Sequence, residues 1–276
     1  MFTLNCKGRL ITAAQPLVMG IINVTPDSFY NESRQQDTEA IVKKAGQMLN
    51  EGAGILDIGG QSTRPGSRLL NAAEEASRVC YAIEAIAGTF PAAIISIDTF
   101  YAKVAAAAVA AGAAIVNDIS GGEMDENMLE TVAGLQVPYI CTHMKGTPQT
   151  MQQLAAYEHV TTAVLDYFVS KLDSCRKAGI RDVILDPGFG FAKTSEHNFK
   201  LLKELGVFKL TGKPLLVGLS RKSTIYKTLG TTAAGALNGT TVLNTIALQN
   251  GADILRVHDV KEAVEAVKLL SAYREA

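Results

Sequence analysis

The chain has 276 residues, 47% of them hydrophobic, and a formal net charge of −1 at pH 7. No apolar run reaches the roughly 18 residues that a membrane-spanning helix needs, and the first residues lack the long apolar segment of a signal peptide. The near-zero charge gives no general attraction to nucleic acid or to an anionic membrane. The four cysteines form no C-x-x-C pair, which argues against a zinc site or a disulfide framework. We therefore expect a cytoplasmic protein with reduced thiols and with neither a nucleic-acid nor a membrane partner.

An apolar run from Leu17 to Ile22 ends abruptly in the polar residues Asn23, Thr25 and Asp27. Such a run, bounded by turn signals, is typical of a strand that is buried on both faces. The same pattern of apolar strand, polar carboxyl end and helix repeats along the chain. Strands are predicted, in chain order, at 17–22, 55–58, 93–97, 113–116, 137–141, 183–185, 215–218 and 253–257.

Helical patterns follow these strands, after a predicted polar loop at 31–36. The predicted helices begin near 37, 72, 101, 127, 159, 198 and 238, and a last helix follows Asp259, with Glu262 in capping-box spacing. Eight strand–helix units imply an α/β fold with parallel pairing, closed as a TIM (β/α)8 barrel in a single domain over residues 1–276. Residues 1–16 precede the first barrel strand and are expected to cover the barrel bottom. An open doubly wound sheet is the alternative, but no G-x-G-x-x-G motif opens a helix.

Polar residues follow each predicted strand, where a barrel places its active site. A lone Asp or Asn at such a position is more often a turn former or a helix cap. Burying many unpaired polar groups together would be costly, so their number favours a functional cluster. The residues are Asn23, Ser62, Thr63, Arg64, Asp98, Asn117, His143, Asp186, Lys222, Arg256 and His258.

One part of this cluster suits an anion. Arg256 and His258 are two residues apart on the last strand and therefore point to the same side. Together with 62–64 they offer donors for phosphate, which arginine binds bidentately. Asn23 is a candidate oxygen ligand for a Mg²⁺ ion that is carried by the phosphate groups. Arg64 taken alone is equally consistent with a solvated loop charge.

A second part suits a flat heterocycle. Asp98, Asn117 and Asp186 can accept from ring N–H and amino groups, and the Asn amide can also donate. Lys222 can donate to a ring carbonyl or nitrogen, and Arg221 could flank the ring. The competing interpretation is a pair of carboxylates for general acid–base catalysis, which sequence spacing cannot distinguish.

Two long loops, 25–36 and 60–70, exceed the ~2–6 residues that are usual between a strand and a helix, and long loops of this kind often act as lids. Phe29, Pro65 and Phe191 could form the walls of an aromatic site. For Phe191, ordinary packing over the barrel rim is an equally good explanation.

Seven motifs then match one family in the right order. NVTPDSF (23–29), GGQSTRPG (59–66), IDT (97–99), NDISGG (117–122), DPGFGFAK (186–193), GLSRKS (218–223) and RVHDV (256–260) resemble dihydropteroate synthase. The resemblance covers 17–267 and implies a TIM barrel of the folate pathway. Such an enzyme joins 6-hydroxymethyl-7,8-dihydropterin diphosphate to p-aminobenzoate and releases diphosphate, with Mg²⁺ on the leaving group. The resemblance also implies a sulfonamide target, and the apolar late helices would permit a homodimer.

The resemblance implies a role for each matching residue. The pterin ring would be held by Asp98, Asn117, Asp186 and Lys222. The diphosphate or its metal would be held by Asn23, Thr63, Arg256 and His258. The two loops would close over the site through Thr25, Asp27, Phe29, Ser62, Arg64 and Pro65. The p-aminobenzoate pocket would be shaped by Phe191 and Ser223. Charge on the departing diphosphate would be stabilised by Arg64, Arg256 and His258, and charge on the ring by Asp98 and Asp186. The expected catalytic residues are Asp98, Asp186, Lys222, Arg256 and His258.

Two departures from the family pattern concern the loops. Gln61 stands where the family usually has Glu, and 30–33 read Tyr-Asn-Glu-Ser where the family commonly has Ser-Asp-Gly-Gly. Two other functions stay open on the sequence. One is a pterin-binding methyltransferase barrel, against which the anion-binding residues argue, and the other is a barrel that binds a pterin without catalysis.

Overall fold

The computed structural model describes residues 1–24, 31–61 and 69–276, and for 31–37 it describes the backbone but not the side chains. An antiparallel hairpin of β1 (Phe2–Cys6) and β2 (Arg9–Ala13) opens the chain. Eight parallel strands then form one sheet within the described residues. They are β3 (Leu17–Asn23), β4 (Ile55–Gly59), β5 (Ile95–Asp98), β6 (Ile115–Asp118), β7 (Tyr139–Thr142), β8 (Val183–Asp186), β9 (Leu216–Val217) and β10 (Ile254–Val257).

The sheet curls into a barrel. Its strand order is β8-β7-β6-β5-β4-β3-β10-β9, so β8 and β9 are the two outer strands. A parallel bridge between Leu185 and Leu215 joins them, and the Leu185 amide donates to the Pro214 carbonyl at 2.9 Å. The predicted α/β class and TIM barrel are confirmed, and the open doubly wound alternative is wrong.

Helices surround the barrel on its outer face. They are α1 (Asn31–Asn50), α2 (Ala72–Thr89), α3 (Ala102–Ala111), α4 (Met128–Leu135), α5 (Val160–Ala178), α6 (Ser195–Lys203), α7 (Ser223–Thr228), α8 (Leu237–Gln249) and α9 (Val260–Glu275). The predicted polar loop at 31–36 is wrong, because α1 begins at Asn31. Its first turn contains helix-forming Glu, Arg and Gln but no apolar residue, so the sequence carries no periodic signal there. No helix among the described residues is long and apolar enough to cross a membrane.

Alternate residues of each strand point into the barrel. The lowest inward layer is an apolar floor, and the hairpin residues Leu4 and Cys6 pack against it, as expected of a segment that covers the barrel bottom. The floor consists of Met19, Ile55, Ile94, Ile115, Ile140, Ile184, Leu216 and Ile254. Two residues further along each strand, the inward layer is mostly polar. This layer consists of Ile21, Asp57, Ser96, Asn117, Thr142, Asp186, Gly218 and Arg256.

The start of α9 differs from the prediction. Asp259 is the residue before the helix, but its side chain makes no capping hydrogen bond. It accepts from Arg221 instead, with Nε to Oδ2 at 2.9 Å and Nη2 to Oδ1 at 2.8 Å. Arg221 Nη1 also donates to the carbonyls of Ala233 and Ala234. The bidentate ion pair replaces the predicted capping box, and it ties Arg221 to the α9 end of the barrel rather than to a ring.

Gly188, in the loop after β8, offers a test of this packing. Its φ is +70°, and a Cβ there would lie 2.0 Å from the His143 carbonyl oxygen. We expect Gly188→Ala to lower the free energy of unfolding by about 3 kcal/mol or more, because both backbone strain and a backbone clash result. Gly179 is the matched control, since its φ is +95° and no atom would lie within 4 Å of its Cβ. Urea unfolding of both variants measures the difference. Equal losses would contradict the close approach at Gly188.

Candidate active site

A buried ion-pair network joins β4, β5, β6 and β10 in the polar layer above the apolar floor. Arg256 donates from Nε to Asp57 Oδ2 and from Nη2 to Asp98 Oδ2, both at 2.6 Å. Asn117 Nδ2 donates to the same Asp57 oxygen at 3.0 Å. Asp57 is completely buried, whereas the side chains of Asp98 and Arg256 keep about a fifth of their surface exposed. The network therefore has a closed inner end and an end that opens to the barrel mouth.

Charge and burial act against each other at Asp98. Loss of water raises the pKa of Asp98 above its usual range, the Arg256 charge opposes that shift, and the carboxylates of Asp57, Asp118 and Asp186 add to it. Burial alone would lower the pKa of Arg256, but the charges of Asp57 and Asp98 outweigh that effect and raise the pKa above its usual value. Arg256 therefore stays charged throughout the working pH range. Sequence reasoning separated Arg256, as an anion ligand, from Asp98, as a ring ligand, but the structure joins them.

Lys222 lies beside Asp186 on the opposite wall. Its Nζ donates to the Phe189 carbonyl and lies 4.8 Å from the centre of the Phe191 ring. Burial lowers the pKa of Lys222 to about 8, with the Asp186 charge opposing the shift. Desolvation raises the pKa of Asp186, while Lys222 and a 2.8 Å hydrogen bond from the Gly188 amide oppose it. The two charges thus act on each other across the barrel mouth, and Ser223 opens α7 directly after Lys222.

Lys193 holds the loop that carries these groups. It is 3% exposed and its Nζ lies 2.8 Å from His143 Nδ1, 3.1 Å from the Gly188 carbonyl oxygen and 3.0 Å from the Phe191 carbonyl oxygen. Burial lowers the pKa of Lys193 and also that of His143. His143 was a candidate site residue, yet its ring is buried and tied to Lys193, so it belongs to the support of the loop.

A second buried turn supports Asn117. The carboxylate of its neighbour Asp118 accepts from the Ser120 amide and hydroxyl and from the Gly122 amide, all at 2.7 Å, and from the Tyr139 hydroxyl at 2.8 Å. All of these donors stabilise one buried carboxylate. The NDISGG motif is therefore explained by a rigid turn that fixes the backbone beside Asn117.

His258 lies exposed at the barrel mouth. Partial burial, followed by the Arg256 charge, lowers the pKa of His258 below its usual value, so the ring is neutral near pH 7. Its Nδ1 lies 3.0 Å from the Ser220 hydroxyl oxygen, which also accepts from the His258 amide at 3.1 Å. The hydroxyl proton can therefore point at Nδ1 and leave the proton on Nε2. His258 then offers a neutral N–H donor instead of the expected cation.

Asn23 ends β3 on the same rim. Its Oδ1 and Asp98 Oδ2 each lie 3.6 Å from the position of a Cβ on Gly59, so both oxygens face one small space. Within the described ranges, no three His, Cys, Asp or Glu side chains form a metal cage. One amide oxygen fits a Mg²⁺ ion that keeps water and phosphate ligands, the form in which proteins usually bind it.

The first and second loops fall largely outside the described residues. The predicted site residues there are Thr25, Asp27, Phe29, Ser62, Thr63, Arg64 and Pro65. Gln61, at the edge of the second loop, is described. Its Nε2 donates to Glu75 Oε2 at 2.8 Å and to the Leu70 carbonyl at 3.0 Å, and its Oε1 accepts from the Leu70 amide at 3.1 Å. The Gln61 amide thus connects residues 61 and 70 and anchors both to buried Glu75.

Three residues of the site were missed from the sequence. Asp57 lies in the middle of β4, and Ser220 and Lys193 lie just after strands β9 and β8. A signal existed for Asp57, because a charged residue interrupts the apolar run Ile-Leu-Asp-Ile two positions after the inward Ile55. Ser220 and Lys193 lie inside the motifs GLSRKS and DPGFGFAK, but those motifs did not reveal their contacts, which depend on the fold.

Comparisons with known proteins agree with this arrangement. Residues 19–258 match the family described as "Pterin binding enzyme". A dihydropteroate synthase from Escherichia coli (strain K12) is 42% identical over 96% of this chain and 94% of its own length. A structure of Xanthomonas albilineans dihydropteroate synthase with 4-aminobenzoic acid is 38% identical, with a TM-score of 0.91 over 99% of this chain and 98% of its own.

A second solved structure shows the same likeness. It is the dihydropteroate synthase of Yersinia pestis in complex with a sulfonamide drug, 38% identical, with a TM-score of 0.92 over 99% of each chain. The matching family, the full-length identity and the motifs around the barrel mouth all lead to one assignment. The chain belongs to the dihydropteroate synthase family, the transferases that form dihydropteroate in folate synthesis.

Proposed function

We propose that this barrel condenses 6-hydroxymethyl-7,8-dihydropterin diphosphate with p-aminobenzoate to give 7,8-dihydropteroate and diphosphate. The observation that supports the proposal is the convergence of Asp98, Asn117, Asp186, Lys222 and Arg256 on one barrel end. Family membership supplies the reaction, and these residues supply the charge pattern that it needs. The Xanthomonas albilineans structure with 4-aminobenzoic acid supports the second substrate.

The ring-binding groups would read both donors and acceptors on the pterin. Asp98 and Asp186 accept from ring N–H or amino groups, and Lys222 donates to a ring carbonyl or nitrogen. Phe191 and Ser223 would shape the pocket for p-aminobenzoate, and the position of the Phe191 ring next to Lys222 supports this role. A flat ring held at several points along its edge would keep its exocyclic methylene in a fixed direction. The reacting carbon would then be oriented for attack before the reaction begins.

The diphosphate would lie toward Arg256, His258 and Asn23. Arg256 keeps N–H groups beyond the two used for Asp57 and Asp98, and neutral His258 donates from Nε2. We propose that Asn23 would supply one oxygen ligand to a Mg²⁺ ion carried by the diphosphate. Such an ion would help to neutralise the charge that grows on the leaving group. Thr63 would also bind the diphosphate or its metal. The residues proposed to close the two loops over the site are Thr25, Asp27, Phe29, Ser62, Arg64 and Pro65.

The reaction breaks the bond between the methylene carbon and the diphosphate oxygen and forms a bond from that carbon to the aniline nitrogen. The aniline nitrogen is a weak nucleophile because its lone pair is conjugated, so positive charge develops on the pterin before the new bond is complete. Asp98 and Asp186 stabilise that charge, and Arg256 and His258 stabilise the departing diphosphate. The aniline is already neutral at pH 7, so its proton can leave after the bond has formed.

The remaining features of the protein are proposed on similar grounds. We propose that residues 1–276 act as one domain, and that the protein is cytoplasmic, because Cys6, Cys80, Cys141 and Cys175 are all unpaired. We also propose sulfonamides as ligands that take the p-aminobenzoate position, supported by the complex of the Yersinia pestis relative.

A homodimer is proposed from the outer face of α8 and α9. A surface groove of ≈ 360 Å³ lies between these helices, and beside it the side chains of Leu269 and Tyr273 are 73% and 75% exposed. Exposed apolar side chains grouped in this way are common at subunit interfaces.

The assay for the main proposal measures both products. Diphosphate release and dihydropteroate formation are followed with Mg²⁺, with and without p-aminobenzoate. We expect the two products to appear in equal amounts. Asp98→Asn keeps the side-chain shape but removes its charge, and kcat/KM should fall by roughly 10²–10³-fold, the usual effect of one preorganised group. Pterin binding without turnover by the unaltered protein would favour a binding protein, and near-normal activity of a folded Asp98→Asn variant would exclude the electrostatic role.

The pH profile tests Lys222. The raised pKa of Asp98 should place the acid limb of kcat/KM above the ordinary carboxyl range, because the ring cation needs the ionised form. Lys222, with its pKa lowered to about 8, loses its proton above that pH, so activity should fall on the alkaline side. In Lys222→Arg the charge persists, so the alkaline limb should move to higher pH while the acid limb stays. An unmoved alkaline limb would show that another group titrates there.

Sedimentation tests the homodimer. We expect the protein to sediment at twice its chain mass, and Leu269→Glu to shift it toward the monomer, because the new charge would be buried without a partner. Lys268→Glu changes an exposed neighbour on α9 and serves as the control, with the dimer retained. A monomeric unaltered protein would exclude the proposal.

A further inference from the structure

Asp57 is 0% exposed, so a ring or diphosphate bound at the barrel mouth would not reach this carboxylate of the network. Its Oδ2 accepts from both Arg256 Nε and Asn117 Nδ2, at 2.6 and 3.0 Å. Asp57 therefore connects a cation of the diphosphate side with an amide of the ring side. The question is what this buried acceptor does for the two groups it holds.

The contact to Asn117 decides how that amide is oriented. An Asn amide can turn either its NH2 or its oxygen toward a neighbour. In a binding site the NH2 requires an acceptor on the ligand, whereas the oxygen requires a donor. The Asp57 carboxylate only accepts, so Asn117 must turn its NH2 inward. No described residue donates to Asn117 Oδ1, which leaves this oxygen as an acceptor for a ligand.

The contact to Arg256 fixes a second direction. A guanidinium presents its N–H groups as a rigid planar fork. With Nε held by Asp57 from inside the barrel, the outer edge of Arg256 faces Asp98 and the barrel mouth. One buried carboxylate thereby sets both the plane of the cation and the polarity of the amide.

We propose that Asp57 is a positioning residue that makes Asn117 an obligate acceptor and so selects ligand rings that present an N–H or amino donor at that point. This inference rests on the proposed pterin substrate. Asp57 does not touch the substrate, and its effect reaches the ring through Asn117 and the leaving group through Arg256.

The experiment is a swap of the two side chains. In Asp57→Asn, the new amide can turn either its oxygen or its NH2 toward Asn117, so the orientation of Asn117 is no longer fixed. In Asn117→Asp, two carboxylates face each other. Each single variant should therefore raise KM for the pterin diphosphate by about tenfold or more. The double variant Asp57→Asn/Asn117→Asp keeps the total charge and still presents an acceptor to the ring. The amide NH2 introduced at 57 can donate to the carboxylate introduced at 117, although that position then no longer accepts from Arg256 Nε. The KM of the double variant should be at least about tenfold lower than the product of the single effects predicts. KM for p-aminobenzoate should change less than KM for the pterin in all three.

Ser96→Ala is the matched control. Ser96 pairs with Asp57 across the β4–β5 ladder and is equally buried, but its hydroxyl has no hydrogen-bond partner among the described residues. Its removal should leave both KM values unchanged. Binding of 6-hydroxymethylpterin, which lacks the diphosphate, is measured by calorimetry for each variant and should follow the pterin KM.

Each outcome decides the proposal. Independent effects of the two substitutions, or equal changes in both KM values, would overturn it. If thermal melting shows that both Asp57→Asn and the swap are unfolded, Asp57 belongs to barrel stability, which also overturns it. The unaltered protein separates this inference from the function, because failure to make dihydropteroate would reject the function whatever the variants do.

Discussion

A charged guanidinium inside a barrel must be balanced, and Arg256 is the group that imposes this demand here. It takes one carboxylate from below, Asp57, and one from the rim, Asp98, each at 2.6 Å. The arrangement brings β4, β5 and β10 into fixed relation, and Asn117 joins from β6 through Asp57. Unpaired burial of any of these charges would be strongly unfavourable, so the network constrains its members together. The polar layer above the apolar floor is organised around this one cation.

The alternation of inward and outward side chains along each strand explains how much of this arrangement could be predicted from the sequence. Apolar runs ending in polar residues revealed the eight strands, and the two-residue period placed Arg256 and His258 on one side. The same period, counted upward from Ile55, also points to Asp57, but only once the floor residues are known. The loop at 31–36 was mispredicted for the opposite reason, because a polar first turn has no period to detect. The Asp259 cap failed because its competitor, Arg221, is far away in sequence.

The supports of the site lay beyond sequence reasoning. Lys193 and Asp118 are buried, and each satisfies several backbone groups of a turn, at Gly188–Phe191 and at Ser120–Gly122. Neither side chain bonds to a side chain that is expected to hold the pterin ring or the diphosphate. Their motifs are visible as letters, but a motif does not say whether a lysine faces a ligand or a carbonyl. Only the fold distinguishes these cases. The partners of Lys193 lie in the loops after β7 and β8, whereas Asp118 at the end of β6 bonds to Tyr139 on β7.

The barrel has a seam where its two outer strands meet. β9 contributes only Leu216–Val217, and among the residues that the structure describes a single bridge, Leu185 to Leu215, joins β8 to this side of the barrel. Few hydrogen bonds cross this line, so local opening should begin there and expose its amides to exchange before those of other strands. Asp186 ends the strand on one side of the seam, and Lys222 follows the strand on the other. A ring bound to both Asp186 and Lys222 would connect the two sides of the seam. Ligand binding would therefore stabilise the closed barrel as well as fill the site.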